Sequence, residues 1–451
     1  MKRQQNIPYG KIAAYAMTYF SDRIERCAKV MFIALAFSIL SIFSAIAQSA
    51  TNYRIMFDKR TAGDGTIKIE CAFTINFAEY DSITLDFGGP LQDETIQELH
   101  IMPDNIRYNI DYTSKQITFY RNRRNIQRVK MEYIYMNLTS ALMYGDSGAE
   151  IWESIYSPSG EFYYPTQRGM EYSARIKFSS PDSLLVVSHS GIDATKWHRE
   201  NRCVPINFAF LSRDKYEKQL MTGGYRYGIY QVIGKQADSA RCELLCQLTE
   251  QSIRWFEEKY GDKYLCNRYG ISAYPAFIFH NGNGSFNRYN MGFISASQEK
   301  FATYPDIYPL IHEVGHRWMG EYTMYIESGV RGYAFIIETL NEFMTLMCIR
   351  DIVGIEEYET LLDSCRASWN KIKDTEQDIH PVDVTDNNNI SVTYRKGIVM
   401  LDNIAQEIGY DTVVFYIARF YNECNGKPDL QYADFERLCS PIHDKLYDMQ
   451  D

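Results

Sequence analysis

The stretch PLIHEVGHRWMG (Pro309–Gly320) holds two of the eight histidines of the chain, four residues apart, with a glutamate directly after the first. On a helix, His312 and His316 project from one face, because residues four apart lie one above the other. Their rings can then share one metal ion. Glu313 is rotated by about 100° from His312, close enough to take a proton from a water molecule without being a ligand. The spacing therefore predicts the helix of a zinc hydrolase, which also needs a third protein ligand.

The third ligand should be an acidic residue or histidine on an element that packs against this helix. The candidates downstream are Glu321, Glu327, Glu338 and Glu342. The first two fall in the predicted linking loop. Glu338 and Glu342 lie one turn apart on the next predicted helix, so both could face the metal. Spacing alone leaves both open.

The composition is that of a globular protein with two or three domains. The chain has 451 residues, of which 45% are hydrophobic and 23% charged, and it contains no low-complexity tract. Its net charge of −10 argues against nucleic acid as the main partner, because phosphate binding needs a basic surface. The one short basic patch, RNRRNIQRVK (Arg121–Lys130), is interpreted as a solvated hairpin rather than a docking site.

The pattern of apolar residues changes midway along the chain. Segments such as GTIKIECAFTINF and RVKMEYIYM alternate polar and apolar residues between turn residues, which predicts an antiparallel β domain over residues 48–212 with one solvated face. SARCELLCQLTEQSIRWFEEKYG (Ser239–Gly261) has the period of an amphipathic helix. Strands followed by helices predict an α+β chain whose residues 213–451 form a mixed α/β and helical catalytic domain.

Residues 1–47 have the features of an export signal. The apolar run VMFIALAFSILSIFSAIA (Val30–Ala47) follows several basic residues and ends in small residues at the positions that a signal peptidase reads. We therefore expect an exported protein that begins at Gln48, with an uncleaved anchor as the alternative, and no further membrane span. Nine cysteines follow Ala47, so at least one thiol is expected to be free.

Three motifs resemble those of the aminopeptidase N family, zinc metallopeptidases of the thermolysin-like gluzincin group. HEVGHRWMG resembles the HExxHxWxG segment of that family. TLNEFMTLM (Thr339–Met347) resembles the helix whose glutamate is the third zinc ligand, which implies Glu342. TYRKGIVMLDNIAQEIGYDTVVFYIARF resembles the stretch whose tyrosine stabilises the oxyanion, which implies Tyr394. The motifs occur in the order of the family.

The resemblance implies a thermolysin-like catalytic domain and one zinc ion bound by His312, His316 and Glu342. Glu313 would be the general base, Tyr394 would stabilise the oxyanion, and the substrate would be a peptide or protein. The segment between His316 and the third ligand is longer than usual in the family, which keeps Glu338 as the alternative.

One position departs from the family pattern in a way that bears on specificity. In NRYNMGFISAS, Tyr289 stands where the family has a glutamate that binds the α-amino group of the substrate. A buried ammonium needs a carboxylate partner. An endopeptidase or a narrow exopeptidase is therefore an alternative to an aminopeptidase, and a catalytically retired peptidase fold that serves as a binding or scaffold protein is another.

Overall fold

The computed structural model describes residues 49–60, 62–63, 65–77, 80–87, 96–114, 116–136, 148–152, 164–166, 172–188, 195–203, 208–219, 227–261, 276–280, 288–290, 293–302, 308–320, 324, 326, 329–385, 389–425, 427 and 430–448. The predicted export signal, residues 1–47, lies outside them. Within the described residues, no helix combines the length and the apolar character that crossing a membrane requires.

The first part of the described chain consists of β-strands. In chain order they are β1 (Ser49–Asp58), β2 (Thr66–Asn76), β3 (Ser82–Asp86), β4 (Ile96–Met102), β5 (Arg107–Asp111), β6 (Gln116–Tyr120), β7 (Ile126–Met136), β8 (Ala149–Trp152), β9 (Tyr172–Ser179), β10 (Leu184–Ser188), β11 (His198–Cys203) and β12 (Phe208–Ser212). They form a six-stranded sheet in the order β11-β9-β1-β2-β7-β4 and two three-stranded sheets, β10-β12-β8 and β3-β6-β5.

The central strands β2 and β7 show why this part folds as sheets. Along β2, the odd-numbered residues from Ile67 to Ile75 are buried and the even-numbered residues are partly exposed, and β7 alternates in the same way. Successive side chains of a strand point to opposite faces, so one face of the sheet carries the apolar core and the other faces solvent. The predicted solvated face is confirmed.

The six-stranded sheet is mixed, whereas the sequence predicted an antiparallel domain. β1 pairs with β2 in the antiparallel direction and with β9 in the parallel direction, where Tyr53 lies opposite Ala174. The alternation of apolar residues is the same for both strand directions. It therefore predicted the strands but could not predict this pairing.

A second sheet and a set of helices follow. The sheet has the order β13-β14-β15-β17-β16, with strands β13 (Tyr216–Gln219), β14 (Ile229–Val232), β15 (Ala276–His280), β16 (Arg288–Asn290) and β17 (Phe293–Ser297). The α-helices are α1 (Ser239–Tyr260), α2 (Gln298–Ala302), α3 (Tyr308–Gly315), α4 (Leu340–Ile352), α5 (Ile355–Asn370), α6 (Gly397–Ile408), α7 (Tyr410–Cys424), α8 (Tyr432–Leu438) and α9 (Ser440–Asp448). A 3₁₀ turn spans Pro381–Asp383, and π-helical turns span Phe335–Thr339 and Val392–Lys396.

The chain is thus an α+β protein, as the sequence predicted, with a β-sheet region followed by a mainly helical region. Strands β1 to β12 belong to the first three sheets and β13 begins the next one. The domain boundary at residue 212 stays a prediction.

Helix α1 packs against the segment that contains the two histidines of the motif. Its N-cap Asp238 accepts a hydrogen bond from the backbone N–H of Arg241. The helix ends at Gly261, as the sequence predicted, and this glycine has the left-handed conformation. Phe256 and Tyr260 of α1 stack on the buried ring of Trp318, with ring centroids 5.2 and 6.0 Å apart. These aromatic contacts hold the segment after α3 against α1.

Candidate metal centre

His312 and Glu313 lie in helix α3, and His316 follows its last residue. The backbone N–H of His316 still donates to the carbonyl of His312 at 3.3 Å, so the helical geometry extends to the second histidine. The two imidazole rings have centroids 4.6 Å apart and planes at 88°. Both histidines therefore project from one helix face, as their spacing predicted.

The Nε2 atoms of both histidines face the carboxylate of Glu338. Oε2 of Glu338 lies 3.5 Å from Nε2 of His312 and 3.3 Å from Nε2 of His316. One ligand atom from each of the three residues lies within 4.8 Å of the others. Among the described residues, this is the group of histidine, cysteine and acidic side chains that can hold a metal ion.

The distances fit a zinc ion. Ligand atoms bound to one tetrahedral zinc at about 2.0–2.1 Å lie about 3.3–3.4 Å from one another. The separations between Glu338 and the two histidine nitrogens match this value. Two imidazoles and one carboxylate are also a donor set that catalytic zinc sites use.

The other nitrogen of each ring is held by a different group. Nδ1 of His312 contacts Oε2 of Glu342, and Nδ1 of His316 lies 2.9 Å from the backbone carbonyl oxygen of Met319. When Nδ1 carries the proton and donates it to such an acceptor, Nε2 keeps its lone pair for a metal. The two rings are thus oriented with Nε2 toward Glu338.

The two candidates for the third ligand therefore occupy different places. Glu338, in the first π-helical turn, approaches both histidines on the side of Nε2. Glu342, which the motif match implied, contacts His312 on the side of Nδ1. A third ligand must lie near the metal ion that both rings would reach through Nε2. The distances to these two nitrogens therefore favour Glu338 over Glu342. The other two candidates, Glu321 and Glu327, lie outside the described residues.

The charged groups of the centre shift one another's pKa values toward the ionised forms. Burial lowers the pKa of His312, but the carboxylates of Glu342 and Glu338 outweigh it and hold that pKa well above its usual value. The pKa of His316 is likewise raised by Glu338 against the effect of burial. Burial raises the pKa of Glu338, but the neighbouring imidazoles outweigh it and hold that pKa well below its usual value. In the metal-free protein, the carboxylate of Glu338 is ionised.

Tyr394 lies beside the same carboxylate. It belongs to the second π-helical turn, its ring centroid is 6.0 Å from that of His312, and its hydroxyl donates to Glu338. Burial, together with the charges of Glu338 and Glu313, raises the pKa of Tyr394, so the hydroxyl keeps its proton. Glu313 is itself buried, with 7% of its surface exposed.

Close contacts between side chains and glycines join the helices and π turns that carry the site residues. Thr339 of the first π turn donates to the carbonyl oxygen of Thr393 in the second at 2.7 Å. A Cβ atom on Gly397 would lie 2.5 Å from Cγ2 of Thr339, and one on Gly315 would lie 2.3 Å from Oδ1 of Asn341. Only glycine permits these approaches, so the glycines of HEVGH and RKG set the distances between the site residues. π-Helical turns occur frequently at functional sites.

Sequence reasoning missed three residues that surround the centre. The amide of Asn341 donates to the carbonyl oxygen of His312 at 3.1 Å. Nη1 of Arg395 lies 3.9 Å from Oε1 of Glu342, and the side chain of Arg395 also forms a hydrogen bond with Tyr308. These residues carry no spacing signal, because each acts on the site through a neighbour in the folded chain.

The position that bears on specificity is described only in part. Tyr289 lies in β16, paired with Ile294 of β17. Its side chain lies outside what the structure describes.

Solved structures of peptidases share this fold at low sequence identity. An M1 zinc metallopeptidase from Deinococcus radiodurans is 11% identical, with a TM-score of 0.58, over 89% of this chain and 93% of its own. Leukotriene A4 hydrolase from Saccharomyces cerevisiae is 14% identical, with a TM-score of 0.61, over 90% of this chain and 67% of its own. The same yeast enzyme in complex with bestatin is 14% identical, with a TM-score of 0.59, over the same shares.

In sequence, the chain matches no family model and no curated protein. The likeness is therefore one of fold. The fold is that of the M1 zinc metallopeptidases. This likeness of fold confirms the resemblance that three short sequence motifs indicated.

Proposed function

We propose that this chain is a zinc-dependent metallopeptidase that hydrolyses peptide bonds. The observation that carries the proposal is the convergence of Nε2 of His312 and Nε2 of His316 on the carboxylate of Glu338. A buried glutamate and a protonated tyrosine lie beside this centre. The solved structures with this fold include zinc metallopeptidases, which supports a hydrolase.

In this proposal His312, His316 and Glu338 hold the zinc ion. Glu342 is assigned a different role from the one that the motif match implied: it holds Nδ1 of His312 and so fixes the ring, as carboxylates beside zinc-bound histidines do. When bound, zinc would supply a Lewis acid that polarises the substrate carbonyl and makes a water molecule more acidic.

Glu313 and Tyr394 carry out the proton chemistry. Glu313 would take a proton from the attacking water and pass it to the leaving amine, because its carboxylate follows His312 directly on the same helix. Tyr394 would donate a hydrogen bond to the oxyanion of the substrate, for which its hydroxyl must stay protonated. The raised pKa of Tyr394 supports that role.

The specificity that we propose is less restricted than that of an aminopeptidase. Tyr289 stands where the aminopeptidase N family has its amine-binding glutamate. Without that carboxylate, a free amino terminus on the substrate gains no ion pair at this position. Peptides with a blocked amino terminus should therefore be cleaved as readily as free ones.

Export is a separate part of the proposal. It rests on the basic residues and the apolar run within residues 1–47. Amino-terminal sequencing of the protein recovered outside the cytoplasm should begin at Gln48. A chain recovered from the cytoplasm with residues 1–47 attached would contradict export without touching the proposed chemistry.

The test of the hydrolase compares the wild-type chain with Glu313→Gln. We expect about one zinc ion per chain in both proteins by elemental analysis, and peptide hydrolysis in the wild type alone. Glu258→Gln is the matched control, because the side chain of Glu258 is 77% exposed on α1. Full hydrolysis by Glu313→Gln would refute the mechanism. A zinc-loaded wild type that hydrolyses no peptide would favour a binding or scaffold protein.

A further inference from the structure

A trough crosses the solvent-facing side of the six-stranded sheet, on the strands β1, β2 and β7. At its centre, the outward side chains of β2 are the short Ala72 and Thr74. The residues opposite them on the neighbouring strands are long cations: Arg54 and Lys130 flank Ala72, and Arg128 lies opposite Thr74. Short side chains between long ones leave a cavity of about 820 Å³, which these five residues help to line.

Two arginines of this trough form no ion pair with a described residue, although one acidic residue, Asp104, also lines the trough. The side chains of Arg54 and Arg128 are exposed, and within the described part of the chain no carboxylate forms an ion pair with either. A third arginine, Arg175 of β9, lies opposite Arg54. Like charges on adjacent strands repel one another.

Lys130 differs from the arginines. Its Nζ contacts Glu132 and lies 3.6 Å from Oε2 of Glu70. Its charge is therefore shared with acidic neighbours on the sheet. The capacity of the trough to bind an anion rests on Arg54 and Arg128.

The local backbone and one aromatic ring hold the trough in shape. The guanidinium of Arg54 lies 4.2 Å from the ring centroid of Trp197, an arrangement that orients the arginine without neutralising it. Asn52, at the rim, has a φ of 57° and falls within an irregularity in the pairing of β1 with β2. β-Bulges of this kind re-aim side chains and are frequent beside functional sites.

The basic patch singled out in the sequence contributes to this trough. Arg121–Lys130 was interpreted as a solvated hairpin. The structure places Arg128 and Lys130 in β7, two residues apart, where both line the trough. The sequence pattern did not show this shared lining, because Arg54 is distant in sequence from both residues and is brought near them only by strand pairing.

We propose that the trough binds an acidic, extended segment of a peptide. The guanidinium groups of Arg54 and Arg128 offer paired N–H donors that match carboxylates. Ala72, Met102 and Pro103 make part of the lining apolar. An apolar lining suits a peptide better than a nucleic acid, because nucleic-acid binding needs a basic surface along the phosphates. That the segment belongs to a substrate rests on the proposed peptidase function.

Binding can be measured on the full chain carrying Glu313→Gln, so that the probe is not consumed. The probe is a fluorescein-labelled peptide of alternating glutamate and glycine, followed by fluorescence anisotropy. We expect it to bind more weakly as sodium chloride is raised. A peptide with glutamine in place of glutamate should not bind.

Variants locate the binding in the trough. Arg54→Gln and Arg128→Gln should each weaken binding about tenfold, because each removes a charge-assisted contact. Thr74→Glu should abolish binding by placing a carboxylate opposite Arg128. Arg254→Gln is the matched control: it removes one positive charge from a side chain that is 79% exposed on α1, and it should leave binding unchanged. Circular dichroism of each variant shows that the fold is retained.

Three results would overturn the proposal. The first is equal binding of the glutamate and glutamine peptides. The second is that Arg254→Gln weakens binding as much as Arg54→Gln and Arg128→Gln do. The third is that the chain binds a sulfated polysaccharide but does not bind the acidic peptide. Since Glu313→Gln binds without cleaving, binding of the acidic peptide would support the trough even if the wild type hydrolysed nothing. Its absence would overturn the trough and leave the proposed peptidase standing.

Discussion

Glu342 contacts Nδ1 of His312, the ring nitrogen on the side away from Glu338. One imidazole is thus held between two carboxylates that lie four residues apart in the chain. The carboxylate on the Nε2 side also approaches His316, whereas the one on the Nδ1 side approaches Arg395. This arrangement supports the different roles that we propose for the two glutamates, Glu338 as a ligand and Glu342 as the partner that orients a ligand.

Replacement of the two glutamates should separate these roles. Glu338→Ala should abolish zinc binding, because it removes one of three ligands. Glu342→Ala should weaken zinc binding by about 10- to 100-fold, the usual effect of losing a partner of a zinc-bound histidine. Competition with a chromophoric chelator measures both affinities. Loss of zinc from Glu342→Ala alone would restore Glu342 as the ligand.

Tyr394→Phe should lower kcat by about 10²- to 10³-fold, the effect of removing one donor to an oxyanion. Zinc content and KM should change little, because the ring remains and the hydroxyl acts on the transition state. Steady-state kinetics on a fluorogenic peptide give both constants. Tyr112→Phe, at a tyrosine that is 46% exposed in the β region, is the control. A large rise in KM at unchanged kcat would assign Tyr394 to substrate binding instead.

Zinc affinity should rise with pH. In the metal-free protein the pKa of His312 and that of His316 lie above their usual value, so both rings hold their protons to a higher pH than an ordinary histidine does. Zinc must displace those protons, and its apparent affinity increases until both rings are deprotonated. Isothermal titration at several pH values, in buffers of different ionisation enthalpy, reports the protons released. Affinity that is independent of pH would contradict the raised histidine pKa values.

The stability of the metal-free protein should change with pH in the opposite sense. A histidine whose pKa is higher in the folded than in the unfolded state contributes stability below the unfolded pKa, about 6.5. That contribution is lost as pH rises through the raised folded pKa. Thermal unfolding with a chelator present should therefore show Tm falling as pH rises from about 6.5, and no fall would contradict the same pKa values.

Gly315→Ala should destabilise the protein although alanine is the better helix former. Alanine gains about 0.8–1 kcal/mol in helix propensity. Its Cβ would lie 2.3 Å from Oδ1 of Asn341, a side chain that is held in place because its Nδ2 donates a hydrogen bond to the carbonyl oxygen of His312. Overpacking usually costs about 1–3 kcal/mol, so after the gain in helix propensity we expect a net loss of up to about 2 kcal/mol in the free energy of unfolding.

Urea unfolding of the metal-free protein measures this loss. Gly63→Ala is the control, because the heavy atom nearest to its Cβ would be Oγ1 of Thr66 at 3.8 Å, an ordinary van der Waals contact. Equal stability of Gly315→Ala and the wild type would show that α3 and α4 can move apart at no cost.

Much of the fold could be predicted from the sequence, because the signals involved are local. The alternation along β2 and β7 depends only on strand geometry, and the end of α1 depends on Gly261. The parallel pairing of β1 with β9 could not be predicted in the same way. The alternation of apolar residues within a strand does not depend on which distant strand pairs with it.

By itself, the sequence determined that His312, Glu313 and His316 share one helical turn, because four residues span about one turn of any α-helix. Only the tertiary structure separates Glu338 from Glu342, since these residues are also one turn apart and differ in which nitrogen of His312 they approach. That difference depends on how closely α4 approaches α3, which Gly315 and Asn341 set through contacts between elements distant in sequence. Arg54 and Arg128 likewise line one trough only because β1 and β7 both pair with β2.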